Sequence, residues 1–396
     1  MRGDVFMEIR NVVKQAGIDF ATGVPCGVLR KFIQVFSSNP RILHIPAFNE
    51  REAVGIAAGA YLGGKVPVLY MQNSGLFVSS NEFASIFALM HIPVLSVISH
   101  RGCEGEDAPQ HMLTGEHTLA LLDGLGIFHF HRETTVLNLE MDMKVAAQWA
   151  KEKSMPAAIL VRRGWDKNIA DDAELVEPQP SIEPVSMGTI HGLVRGCANI
   201  NREDAIDKIV EIATSNPEES RFPAIISTTG LISRSLFERH DNPNVMYNPG
   251  GFGQTSAMGC GFAIANSTVR TIIIDGDASA LADVGNIVQI GLRKPKRLIH
   301  VILDNEAYGS CSEERSMSSC VNLASIAASS GYRNIFNVNT SKGLESALMK
   351  CLAAEGPNMI IAKIRLGGRR DFARPLEMEL ISRRFRDYFS DRPALV

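Results

Sequence analysis

Two polar clusters carry the strongest chemical signal in the 396-residue sequence. They lie in TIIIDGDASALADVGNIVQIGLRKPKRLIHVILDNEAYGS. An apolar run ends in Asp275-Gly276-Asp277-Ala278, and a second ends in Asp304-Asn305. Between Ala278 and Asp304 lie 25 residues, room for one helix and one strand. In open α/β sheets ligands sit beyond the carboxyl ends of strands, where both clusters fall. Asp277 and Asn305 offer hard oxygen donors suited to Mg²⁺ carrying a diphosphate. Gly276 lets backbone approach phosphate, and a following helix presents its positive end. Either cluster alone reads better as an acidic strand-to-helix turn; the spacing joins them.

The elements that must position these groups follow from hydropathy. Apolar runs alternate with longer helical patterns, which predicts parallel sheets wrapped by helices. Strands are expected near 20–24, 44–46, 66–71, 94–99 and 157–161, then near 224–228, 270–274, 298–303 and 358–364. The Ala/Gly-rich stretch Glu50–Leu62 reads as a helix packed closely on a sheet. MRGDVFMEIRNVVKQAG reads as an amphipathic helix and not as a signal peptide. DDAELVEPQPSIEPVS, acidic and with three prolines, marks a linker, and Asn201 then caps a new helix. The domains expected are 1–168 and 201–396, joined by a linker over 169–200.

Composition sets aside other classes. Forty Lys and Arg against 43 Asp and Glu give a net charge of −3, no sign of a nucleic-acid binder. No segment approaches the ~18 consecutive apolar residues of a membrane helix. Seven scattered cysteines without a CxxC pair suit a reduced, cytoplasmic protein. No GxGxxG follows a strand, which disfavours a dinucleotide-binding dehydrogenase.

Gly276-Asp277-Ala278, 25 residues and Asp304-Asn305 resemble the Gly-Asp-Gly…Asn-Asn signature of thiamine-diphosphate enzymes. The segments 22–32, MQNSGL (71–76), SHRG (99–102), DAPQHMLTG (107–115), TTGLISR (228–234) and GGFGQTSAMGCGFA (250–263) narrow this. Together they resemble phosphonopyruvate and sulfopyruvate decarboxylases from about Gly17 to Arg374. The resemblance implies two thiamine-diphosphate-binding-fold domains, pyrimidine-binding first and diphosphate-binding second, without a central third domain. It implies thiamine diphosphate and Mg²⁺, the ion held by Asp277, the Asn305 side chain and the Ala307 carbonyl. Gly276 and Ala278 would flank the diphosphate, and Asn73 and Met258 would support the cofactor, Met258 reading equally as core.

By the same resemblance Glu50, opening its helix, would activate the cofactor through the aminopyrimidine, with Glu52 as competitor. His111 would transfer protons, oriented by Asp107 and Gln110; a structural histidine is the other reading. Gly23, Pro25, Ser74 and Arg101 would stand at the substrate end, Arg101 as the cation for an anionic tail and Arg315 as its alternate. Arg369 and Arg370 read as solvated or structural. A homodimer or larger homo-oligomer, with the cofactor at the subunit interface, is implied.

The reaction implied is non-oxidative decarboxylation of a 3-substituted pyruvate. We take 3-phosphonopyruvate, giving phosphonoacetaldehyde in phosphonate biosynthesis, as the reading. Sulfopyruvate, giving sulfoacetaldehyde for coenzyme M or sulfonate metabolism, is the alternative. A catalytically idle or regulatory protein is a third reading, prompted by two departures. Ala278 replaces a glycine, which would cost about 1 kcal/mol at positive φ. The loop Cys311-Ser312-Glu313-Glu314-Arg315 replaces a small, neutral one, and its carboxylates would repel an anionic substrate unless they point outward or pair with Arg315.

Overall fold

The computed structural model describes residues 5–103, 107–166, 184–192, 194, 197–215 and 221–390. The chain divides into two compact units, Met1–Tyr61 with Lys65–Glu183 and Leu62–Gly64 with Pro184–Val396.

The first unit is built on five strands: β1 (Phe20–Gly23), β2 (Leu43–Pro46), β3 (Pro67–Gln72), β4 (Leu95–His100) and β5 (Ala157–Arg162). Their order is β2-β1-β3-β4-β5, and every pairing is parallel. β3 and β4 are almost wholly buried, as inner strands of a parallel sheet are, and β4 buries Ser96, Ser99 and His100 with its apolar residues. The expected amphipathic helix forms at Val5–Ala16 and buries Val5, Ile9, Val12 and Val13.

The second unit holds β6 (Thr189–His191), β7 (Ala224–Ser227), β8 (Val245–Tyr247), β9 (Thr271–Gly276), β10 (Leu298–Asp304), β11 (Asn334–Val338) and β12 (Asn358–Lys363). They form one parallel sheet ordered β6-β11-β12-β10-β9-β7-β8. Asn201 caps the Arg202–Thr214 helix as expected, its side chain accepting from the Asp204 N–H at 2.7 Å.

The architecture agrees with the expected α/β class, with no third domain among the described residues. β6, β8 and β11 were not expected; β6 lies within 169–200 and adds an edge strand beside β11. The proline-rich part of that linker, 169–183, lies outside the described residues.

Each sheet has a place where successive connections leave in opposite directions, and the crevice there opens at the carboxyl ends. In the first unit it lies between β1 and β3, in the second between β7 and β9. Asp275–Ala278 stands at the second of these places, at the end of β9, and Asp304-Asn305 ends the adjacent β10.

Candidate active site

In the second unit the loops after β7, β9 and β10 enclose a cavity of about 310 Å³, lined by Thr229, Gly230, Gly276, Ala278, Asn305 and Ala307 among others. Gly230 has φ +85°, and a Cβ there would stand 2.3 Å from the Ser310 hydroxyl oxygen. Glycine is therefore required by conformation and by space. Gly276 differs: its φ is −104° and a Cβ would touch only Ile232 Cδ1, at 3.6 Å. Neither backbone nor packing demands glycine here, so the bare surface is kept toward the cavity. Ala278 lies in the Asp277–Ala282 helix and is not among the residues of positive φ. The strain expected from its methyl is absent.

Asp277 is buried and accepts a hydrogen bond from the Ser316 hydroxyl. Ser316 lies 3.0 Å from Ser318, whose hydroxyl donates to Asp304 Oδ1 at 2.8 Å. Lys363 Nζ stands 2.7 Å from Asp304 Oδ2 and 2.7 Å from Glu306 Oε1. Lys363 thus serves Asp304 and Glu306, while Asp277 faces hydroxyl groups. Burial pushes the Asp277 carboxyl up, and the nearby Asp304 charge adds to this against the Ser316 hydrogen bond.

The turn after β10 presents two further oxygens. Asn305 Oδ1 accepts from the Ala307 N–H at 3.1 Å, and the Ala307 carbonyl accepts from Gly309 N–H at 2.9 Å. Glu306, between them, takes the left-handed conformation at φ +58° and is anchored by Lys363. Carboxylate, amide oxygen and main-chain carbonyl line one cavity, a donor set for a hard cation. A buried acid without a matching cation among the described residues supplies the need for one. The residues fit Mg²⁺ with a diphosphate.

Three readings bear on this unit. Met258 is fully buried in the Thr255–Ala265 helix and does not line this cavity. Glu313 and Glu314 are exposed: Glu313 pairs with Arg370 at 2.9 Å and Glu314 accepts from Ser312. Arg370, expected to be solvated or structural, takes the pairing expected of Arg315, and of residues 311–315 only Cys311 lines the cavity. The acidic loop points outward.

In the first unit the two glutamates separate by role. Asn49 Oδ1 caps the Glu52 N–H at 2.9 Å, and Glu52 Oε2 accepts the Phe48 N–H at 2.5 Å. Glu52 is fully buried in this reciprocal cap. Glu50 is half-buried and lies along Gly75, where a Cβ would be 2.3 Å from Glu50 Cγ. Gly75, within MQNSGL, makes the space that Glu50 occupies.

His111 is half-buried in the first turn of the Pro109–Gly124 helix. Its Nδ1 is 3.4 Å from Gln72 Nε2, which also donates to Ser74 Oγ at 2.7 Å. An amide N–H₂ only donates, so Nδ1 accepts and the ring proton sits on Nε2. Gln72, not Asp107 or Gln110, orients this histidine; Gln110 is exposed. Asp107 is bound to Arg101 through Nε and, at 2.6 Å, through Nη2. Those bonds hold the Asp107 carboxyl well below the usual carboxylate range, with the Ala108 N–H assisting. Arg101, expected as the cation for an anionic tail, is thus paired with Asp107.

Asn73, expected to support the cofactor, is fully buried; Nδ2 donates to the Arg101 carbonyl and to Thr118 Oγ1, each at 2.9 Å, and Oδ1 accepts from Arg101 N–H at 3.2 Å. Its amide positions Arg101 from below. Gly23 is forced by packing, since a Cβ would fall 1.9 Å from the Tyr70 carbonyl oxygen, and Pro25 is exposed. Cys26, unremarked in the sequence, lies 3.2 Å from Ser99 Oγ beside this group.

Comparison with known proteins agrees with the geometry. The thiamine pyrophosphate enzyme, C-terminal TPP binding domain family matches residues 229–362, the span of the cavity loops. Phosphonopyruvate decarboxylase of Streptomyces viridochromogenes is 30% identical over 380 residues, 96% of this chain and 93% of that protein. Sulfopyruvate decarboxylase of Methanosarcina acetivorans is 27% identical over 391 residues, 96% of each. Sulfopyruvate decarboxylase subunit alpha of Methanocaldococcus jannaschii is 38% identical over 160 residues, 40% of this chain and 93% of that subunit. Benzoylformate decarboxylase of Polynucleobacter necessarius shares the fold, with a TM-score of 0.69 at 11% identity over 93% of this chain and 100% of that one. Among the described residues no helix is long and apolar enough to cross a membrane. The chain belongs to the phosphonopyruvate and sulfopyruvate decarboxylase family of thiamine-diphosphate-dependent carboxy-lyases.

Proposed function

We propose that this enzyme decarboxylates 3-phosphonopyruvate to phosphonoacetaldehyde and CO₂, with thiamine diphosphate held through Mg²⁺. The observation that carries the cofactor reading is the buried Asp277 beside Asn305 and Ala307, three oxygen donors on one cavity. Bound thiamine diphosphate supplies the electron sink for cleavage of the carbon–carbon bond. Asp277, the Asn305 amide oxygen and the Ala307 carbonyl would hold the ion. Gly276 and Ala278 would leave the diphosphate room.

Glu50 would hold the proton that switches the aminopyrimidine, because Glu52 is committed to its helix cap. His111, with its proton on Nε2 and Gln72 behind Nδ1, would donate at the substrate. Ser74 and Pro25 would border the substrate. Arg101, fixed by Asp107, would offer its remaining N–H groups to the tail. The first domain would bind the pyrimidine end and the second the diphosphate end, in a cytoplasmic homodimer or larger homo-oligomer with the cofactor at the subunit interface.

Phosphonopyruvate is favoured by the full-length identity of 30% against 27%. The single-chain format does not separate the substrates, because a sulfopyruvate decarboxylase matches along one chain as well. Sulfopyruvate stays the second reading, favoured by the 38% identity to an alpha subunit. The idle reading loses its two supports, since Ala278 is unstrained and the acidic loop faces outward. The test is aldehyde release from the two keto acids in parallel, with and without thiamine diphosphate and Mg²⁺. Cofactor-dependent turnover of phosphonopyruvate is expected. Turnover of sulfopyruvate alone would reverse the substrate, and turnover of neither by cofactor-loaded protein would overturn the function.

A further inference from the structure

The Pro109–Gly124 helix carries Asp123 in its last turn, and the chain then runs through Ile127 to His129-Phe130-His131. His129 is only 8% exposed. Its Nδ1 lies 3.0 Å from the Ile127 carbonyl oxygen. A carbonyl can only accept, so Nδ1 carries the proton and Nε2 of the neutral ring carries a lone pair. That Nε2 is buried without a hydrogen-bond partner among the described residues. It faces Asp123 Oδ1 at 3.8 Å, and His131 Nε2 stands 3.9 Å from the same oxygen.

These separations are too long for hydrogen bonds. They suit ligands around one ion: bonds of about 2.0–2.1 Å at a tetrahedral angle put donors roughly 3.4 Å apart. All three ligand atoms lie within 4.8 Å of one another. His131 and Asp123 are 71% and 56% exposed, so small rotations close the remaining gap. A cation here also meets the negative end of a 16-residue helix.

We propose that Asp123, His129 and His131 bind one divalent transition-metal ion, Zn²⁺ by the chemistry of its donors, with water completing the coordination. Two imidazoles and one carboxylate favour such an ion over Mg²⁺, which prefers an all-oxygen set. The ion ties the end of this helix to the segment after it, while the other end carries His111. It is a brace, separate from the Asp277 site.

The test uses the full-length protein stripped of metal, in excess Mg²⁺ so that the oxygen site is filled. Zn²⁺ is titrated calorimetrically into the wild type, His131→Ala and Asp123→Ala. Both changes are at exposed side chains and leave the core untouched. Cys103→Ser serves as a control, since His100, Cys103 and Glu133 form a second cluster. One Zn²⁺ per chain is expected, weakened at least about tenfold in each site variant, the scale that even outer-shell changes reach, and unchanged in Cys103→Ser. The ring resonances of His129 should shift with Zn²⁺ in the wild type. Absence of Zn²⁺ binding, or binding lost in Cys103→Ser and kept in the other two, would overturn the site.

Discussion

In the first unit two ion pairs stand beside the candidate site, Arg101 with Asp107 and Arg51 with Glu82. In the second unit Lys363 is shared by Asp304 and Glu306, and Asp277 has hydroxyl groups for neighbours. The first arrangement joins charges within the protein and fixes positions before anything binds. The second carries a buried charge that a cation would relieve. A site that recognises the organic part of a ligand gains from rigidity. A site that carries an ion gains from an unbalanced acid.

The largest way to break this contrast is Asp277→Asn. It should abolish Mg²⁺-dependent cofactor binding in calorimetry while leaving the metal-free protein at least as stable as the wild type. The sign follows from the raised carboxyl: its stability contribution is present at low pH and lost as pH rises through the folded value. In chelator, the advantage of the variant should therefore grow toward neutral pH. Undiminished cofactor binding would mean that Asp277 is not the ligand.

Gly75→Ala probes the rigid side. The added methyl must displace Glu50, and a shift near 1 Å can cost roughly 100-fold in turnover. Cofactor affinity should hold; unchanged turnover would remove Glu50 from the chemistry.

A smaller effect is expected of Asp107→Asn, a loss of about 2 kcal/mol in denaturant unfolding at neutral pH. Because Arg101 depresses the Asp107 carboxyl, this stabilisation exists above the ordinary carboxylate range and fades as pH falls toward the lowered value. The gap between wild type and variant should narrow in acid. A gap constant with pH would mean that the ion pair does not contribute.

The smallest effect, under about 1 kcal/mol, belongs to Ala278→Gly, since glycine only loosens a short helix. Improved cofactor binding would instead restore the idea of a strained alanine.

Much of this was legible in the chain. The strand ends at Gly276 and Asp304 follow from unbroken apolar runs, and the donor pair from their spacing. Asn201 announced its cap. Partners distant in sequence were not legible: Lys363 for Asp304, Arg370 for Glu313 and Gln72 for His111 meet only after folding. Glu50 and Glu52 look alike in the sequence and differ through one reciprocal cap. Met258 lies in a helix so apolar all round that no face is marked. β6 and β8, of three residues each, are too short for an alternation to register.

The central claim is that Glu50 serves the cofactor while the second unit holds it. Its most direct test is the exchange rate of the thiazolium C2 proton with solvent deuterium in cofactor bound to wild type and to Glu50→Gln. Exchange slowed by two or more orders of magnitude, with cofactor still bound and the fold intact, is the predicted result. Equal exchange rates in the two proteins would contradict it.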